Sequence, residues 1–269
     1  MIMSSRLGWR IANRTLGSAY RALTSARERA LTRRLVDRIC DNGKVLSGPF
    51  AGMKYARQES HGSVLIPKYL GAYEAELHPT LEAWRSIPFD VVVDVGSAEG
   101  YYAVGLALRY PNAKIVAFDI AERARELTRD LAEANGVSDR LQIKSECSQQ
   151  ELLRLQPSDE RFLIVSDCEG WEGELFSREV LEHLAGCHLI IEVHDRPRKK
   201  IDIFNKLHPR ISQTHCVELI HCCSDKFKPE QYESSYVGSD PLERQLAFRE
   251  QRPDHMCWIV ATPSDTRNA

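Results

Sequence analysis

The stretch that most constrains this chain is Val91-Val92-Val93-Asp94-Val95-Gly96-Ser97-Ala98-Glu99-Gly100, a β-branched run ending in an acid and a glycine-bracketed turn. Apolar residues on both sides of Asp94 predict a strand buried on both faces, as in a parallel sheet. Tyr101 to Tyr110 then carry apolar residues at helical spacing. A strand, a tight loop and a helix in that order bring backbone N–H groups and a helix N-terminus to a ligand. Open α/β proteins hold nucleotide-like cofactors in this way.

The rest of the chain extends the pattern. Strands are predicted over Asp90–Val95, Lys114–Ile120, Arg140–Lys144, Phe162–Asp167 and Leu189–His194. Helices are predicted between them over Tyr101–Arg109, Glu122–Asn135, Gln149–Leu155 and Trp171–Leu184, with a further helix over Lys199–Leu207. Gly136 stops the second helix, while Pro157 and Pro209 close later ones. The alternation predicts an α/β fold, a Rossmann-like, doubly wound, mostly parallel seven-stranded sheet. Cys216–Cys222 and Met256–Thr262 supply an antiparallel edge pair, with a polar insertion at 224–254 between them that is long enough to serve as a lid. Residues 1–64 read as a basic N-terminal helix and a small helical cap, and 65–269 as the cofactor-binding domain.

Composition narrows the function classes. The net charge of −2 over 269 residues gives no general pull toward nucleic acid, and no apolar run is long enough to span a membrane. Eight cysteines without a spaced framework point to reduced thiols and a cytoplasmic setting. The exception to neutrality is the start, where Arg6, Arg10, Arg14, Arg21, Arg27, Arg29, Arg33, Arg34 and Arg38 face only Glu28 and Asp37. Such a segment docks on the domain or on a partner subunit, or else seeks a surface or target. A homo-oligomer is compatible with the first of these. His215, Cys216, His221, Cys222, Cys223, His255 and Cys257 match no zinc spacing and read as strand packing. Trp258 and Phe248 read as core or lid packing.

The glycine loop discriminates between cofactors. A dinucleotide fold wants a third glycine between Gly96 and Gly100, where backbone approaches pyrophosphate. Here Ser97, Ala98 and Glu99 fill the turn, and Glu99 would repel a pyrophosphate. Glu99 and Asp94 instead suit a cationic ligand, which selects S-adenosyl-L-methionine over NAD. Asp119, ending the second strand, is placed to accept the ribose hydroxyls, or alternatively to cap the following helix. Ser145 and Glu146, after the third strand, fall where an adenine edge would lie.

The set Asp94 to Tyr102, Phe118-Asp119, Asp167-Cys168-Glu169-Gly170-Trp171-Glu172 and Leu189 to His194 resembles class I S-adenosylmethionine-dependent methyltransferases, and among them the FkbM-type family. The resemblance covers roughly residues 65–262; the family commonly has Ala-Asn where Ser97-Ala98 stand. It implies methyl transfer, most naturally to a hydroxyl of a small molecule or carbohydrate. The cofactor-binding residues are then Asp94, Gly96, Ser97, Glu99, Gly100, Asp119, Ser145 and Glu146. His194 would be the catalytic base, with Asp167 beside it. By resemblance to metal-assisted sugar O-methyltransferases, Asp167, Glu192 and His194 would hold a divalent cation. Glu169 and Glu172 read as acids favoured at a helix N-terminus. The alternatives are N- or carboxyl-methylation, a degenerate cofactor-binding scaffold that recruits a partner, and, more distantly, an NAD oxidoreductase.

Overall fold

A computed structural model describes residues 24–41, 43–195, 202–252 and 256–264. Among them a seven-stranded sheet is formed by β1 Val91–Val95, β2 Lys114–Phe118, β3 Leu141–Lys144, β4 Phe162–Ser166, β5 His188–Val193, β6 His215–His221 and β7 Cys257–Pro263. The spatial order is β3-β2-β1-β4-β5-β7-β6. β1 to β5 run parallel, and β7 lies antiparallel between β5 and β6. The expected edge pair is therefore present, with the last strand inserted inside β6 rather than outside it.

Burial explains the sequence pattern. All five residues of β1 are buried. Val92 joins a core with Leu35, Ile39, Phe50, Leu106 and Leu131, while Val91, Val93 and Val95 face Leu175, Leu184 and Leu207 on the other side. Each such valine contributes about 1.5–3 kcal/mol by burial, so β1 stabilises both layers at once. Helices Tyr101–Arg109 and Glu122–Asn135 cover the first face. Helices Arg178–His183 and Phe204–Ile211 cover the second.

Three element boundaries differ from expectation. The helix expected over Trp171–Leu184 is split into Glu172–Leu175 and Arg178–His183. Ser177 causes the break, its side chain capping a new helix by accepting from the Val180 N–H. The helix expected over Lys199–Leu207 is Phe204–Ile211, and Pro209 lies inside it instead of ending it; residues 199–201 lie outside the described residues. The insertion at 224–254 carries two helices, Lys228–Gln231 and Pro241–Phe248, and the second buries Leu246, Ala247 and Phe248 in the core.

Of the basic N-terminal segment, residues 24–40 are helical, and residues 1–23 lie outside the described part. Leu35 and Ile39 pack into the first core. Arg27 and Arg38 pair with Asp240 and Glu243, so this helix rests on the helix Pro241–Phe248 of the insertion. Among the described residues no helix is long and apolar enough to cross a membrane.

Candidate active site

In this strand order the chain winds one way from β1 through β2 to β3 and the other way through β4 to β5. The crevice at such a switch, outside the carboxyl ends of the strands, is where open sheets bind ligands. A cavity of about 1660 Å³ opens there, lined from the ends of β1, β2, β3, β4 and β5. It is also lined by His61, Gly62, Ser63 and Val64 before the helix Leu65–Leu70, and by Glu250, Gln251 and Arg252 from the insertion.

At the β1 end the turn needs its first glycine. Gly96 has φ +84°, and a Cβ there would lie 1.8 Å from the Asp167 carbonyl oxygen. The turn after β1 thus passes the end of β4 at a distance only glycine permits. Gly96→Ala is expected to abolish ligand binding in the cavity while leaving a folded, less stable protein; unchanged binding in a calorimetric titration would refute the need for this close approach. The loop is then fastened by Asp119. Its Oδ2 accepts from the Ala98 N–H and its Oδ1 from the Ala121 N–H, both at 2.8 Å. Asp119 does not cap the following helix, whose N-cap is Ala121 without a side-chain cap; it lines the cavity, and each of its oxygens retains a second lone pair.

Asp94 Oδ2 and Ser97 Oγ are buried without a hydrogen-bond partner among the described residues, and both residues line the cavity. Burial pushes the Asp94 carboxyl up to about 8; the Ala103 N–H pulls it down, while the charges of Asp167, Asp119 and Glu74 push it further. Ser145 and Glu146 line the cavity at the end of β3. Ile120, 83% exposed, lines the same part and offers an apolar surface that sequence reasoning did not single out.

Glu99 departs from the expectation. It is 1% exposed and does not line the cavity, and neither does Gly100. Lys68 Nζ lies 2.5 Å from Glu99 Oε1, so a buried ammonium, not a bound ligand, neutralises this carboxylate. Gly100 instead lets the helix Tyr101–Arg109 start against Thr128, with φ +92° and the Thr128 methyl 2.9 Å from where a Cβ would lie.

At the β4–β5 end Asp167, Glu192 and His194 converge as expected, each offering one ligand atom within 4.8 Å of the others. His194 Nδ1 lies 2.6 Å from Glu172 Oε1. A carboxylate can only accept, so Nδ1 carries a hydrogen, and in the neutral ring Nε2 presents its lone pair. That Nε2 is 3.3 Å from Asp167 Oδ1, 3.7 Å from Glu192 Oε2 and 3.9 Å from Glu169 Oε2. Burial works against charging the ring, but the Glu172 hydrogen bond and the surrounding Asp167, Glu172 and Glu169 charges outweigh it and raise its pKa. Glu172 stands at a helix start, as the sequence reading preferred, and has a second role beside it. It occupies the first helical turn but is fully buried against the imidazole.

Around the same end, Arg252 is surrounded by acids from three segments. It contacts Glu192 of β5, Glu74 at 3.5 Å, Glu76 at 3.2 Å and Glu250 at 3.7 Å. Glu250 also holds Lys228 at 2.5 Å, and Tyr102 donates its hydroxyl hydrogen to Glu74. None of these pairings was legible in the sequence. Trp171, 58% exposed, completes the wall.

No family model matches the chain. A release factor glutamine methyltransferase of Chlorobaculum tepidum is 41% identical to it over 52 residues, which are 19% of this chain and 18% of that protein. The chain therefore matches less than a fifth of the length of this curated relative. Among solved structures it is similar to the O-methyltransferase TomG of Streptomyces achromogenes in complex with SAM, at a TM-score of 0.47 and 14% identity over 72% of this chain and 81% of that one. It is also similar to a precorrin-6y C5,15-methyltransferase of Geobacter metallireducens, at a TM-score of 0.46 and 13% identity over 72% and 88% of the two chains.

Proposed function

We propose that this chain is an S-adenosylmethionine-dependent methyltransferase of the FkbM type that methylates a hydroxyl of a small molecule or carbohydrate. The observation carrying this reading is the division of one cavity into two chemically distinct ends. One end has the glycine turn, Asp119, and the partnerless buried oxygens of Asp94 and Ser97. The other has a buried imidazole oriented by Glu172, with Nε2 beside Asp167 and Glu192. The short match to a glutamine methyltransferase supports the methyltransferase part of this reading.

The residues present fit the cofactor. Asp94 Oδ2 and Ser97 Oγ lack hydrogen-bond partners where a ligand would supply them, and the acids of the wall suit a cation better than a pyrophosphate. When bound, the sulfonium supplies an electrophilic methyl group. The remaining work falls to the chain. Asp119 and Ser145 with Glu146 would orient the nucleoside, and Asp94 would face the ammonium. His194 Nε2 would accept the acceptor hydroxyl's proton, while Glu172 fixes the ring and stabilises the imidazolium that forms. Hydroxyl acceptors fit better than carboxylates, because the described lysine and arginine of the wall, Lys68 and Arg252, already face carboxylates. An anionic acceptor would meet Asp167, Glu169 and Glu192 without a partner.

Calorimetric titration with S-adenosylhomocysteine and with NAD tests the cofactor. Binding of the first is expected; tight NAD binding without it would overturn the reading. Convergence of two carboxylates and one imidazole also favours a second reading, in which Asp167, Glu192 and His194 would hold a divalent cation able to lower the hydroxyl's pKa. The Glu172 hydrogen bond to Nδ1 is the partner a ligating histidine requires. Titration with Mn²⁺ checks this, with Asp167→Asn expected to remove saturable binding if the ion sits there.

A further inference from the structure

Glu99 follows the glycine turn but reaches away from the cavity, to the cap. Its Oε1 accepts from Ser60 Oγ at 3.1 Å and from Lys68 Nζ at 2.5 Å, and its Oε2 accepts from the His61 backbone N–H at 3.1 Å. Lys68, 2% exposed, also donates to Ser63 Oγ at 2.6 Å and sits 4.7 Å and 5.4 Å from the Tyr73 and Tyr101 ring centres. One buried carboxylate therefore gathers Ser60, His61 and Lys68, and through Lys68 it gathers Ser63.

These contacts have a direct bearing on the cavity. His61, Gly62, Ser63 and Val64 form one wall of it, and Gly96, Ser97 and Ala98 form another. Glu99 is covalently part of the second wall's loop and hydrogen-bonded to the first. Elsewhere the same cap segment is fastened by Arg57–Asp130 at 2.7 Å and Glu59–Arg123 at 2.6 Å, whose side chains are 30–51% exposed. Exposed pairs of that kind contribute little, about 0–1 kcal/mol. Buried hydrogen bonds to a charged acceptor are worth more, and Glu99 makes them at the cavity wall itself.

We propose that Glu99 is a positioning residue for the cofactor, acting through the cap: it fixes the 60–63 wall against the glycine turn and so sets the width of the cofactor cavity. This rests on the cofactor reading above. Lys68 serves as its counter-charge. Glu99 thus recognises no ligand atom itself, although it follows the turn that does.

The test must separate this role from bulk stability. Glu99→Gln alone leaves the Lys68 ammonium buried and unpaired and can unfold the protein. Two charge-balanced double variants avoid that. Glu99→Leu with Lys68→Met removes both charges and every acceptor for the cap; Glu99→Gln with Lys68→Met removes both charges but keeps an amide oxygen for the His61 N–H and an amide NH2 that can donate to Ser60 Oγ. The first is expected to weaken S-adenosylhomocysteine binding about tenfold or more and to speed amide hydrogen exchange at residues 57–64. The second is expected to stay within about threefold of the parent, with slow exchange at 57–64. Equal affinity of the Leu/Met variant and the parent overturns the proposal. So does equal loss in both variants, which would mean a packing role only. Failure of the unmodified protein to bind S-adenosylhomocysteine overturns the cofactor reading instead, and this proposal with it.

Discussion

His194→Ala is expected to lower kcat by about 10²–10⁴-fold, the range for loss of a positioned general base, with S-adenosylhomocysteine affinity unchanged within about twofold. The separation follows from the cavity's layout. His194 belongs to the β4–β5 end, together with Glu172, Asp167 and Glu192, while the glycine turn and Asp119 lie at the β1–β2 end. Glu172→Gln is the sharper companion. A carboxylate forces the Nδ1–H tautomer, whereas a glutamine amide can also donate to Nδ1 and drive the hydrogen to Nε2, where it would block proton abstraction. An activity loss in Glu172→Gln approaching that of His194→Ala would show that ring orientation matters as much as the ring. Full turnover in both variants on an accepted substrate would remove His194 from the mechanism. Turnover is measured as released S-adenosylhomocysteine across candidate hydroxyl acceptors.

Parts of this site were legible because they sit at strand ends, where hydrophobic period alone fixes position. The run Val91 to Val95 marks a strand buried on both faces, and Asp119, Asp167 and Glu192 follow from where their strands stop. Alternation along β5 placed Glu192 and His194 on one side, and the structure brings both to Asp167. What was illegible depends on distance along the chain. Glu99 looked like a ligand residue because its partner Lys68 lies 31 positions upstream in a stretch without a periodic pattern. Arg252 meets Glu76 across 176 positions and Glu192 across 60, and no local signal announces either contact. Glu172 was placed at a helix start, but its contact with His194 was not legible, for a different reason. An acid in a first helical turn complements the macrodipole whether it faces water or the core, and only tertiary packing decides.

Asp94→Asn is expected to separate stability from ligand binding, with opposite signs. The folded carboxyl titrates at about 8, far above an unfolded aspartate, so between these values the native state holds a proton that the unfolded chain has released. Stability from this group is therefore greatest in acid, falls as pH rises through that window, and levels off above about 8. Asparagine keeps the shape and cannot ionise. The ligand-free variant should unfold about 5–10 °C above the parent at pH 8.5, and the gap should close toward pH 5. Binding runs the other way. A cationic ligand group beside Asp94 favours the carboxylate, so binding near pH 7 should release a proton, seen as a heat that depends on buffer ionisation enthalpy. Affinity for S-adenosylhomocysteine should then rise between about pH 6 and pH 8 in the parent, and this rise should be absent from Asp94→Asn, which binds about tenfold or more weakly at pH 8.5. A variant that is stabilised at high pH yet binds as tightly as the parent would leave Asp94 a strained structural acid. A variant that is destabilised at high pH would mean that Asp94 is ionised and satisfied in the free protein, and that the cation it was taken to await is not needed there.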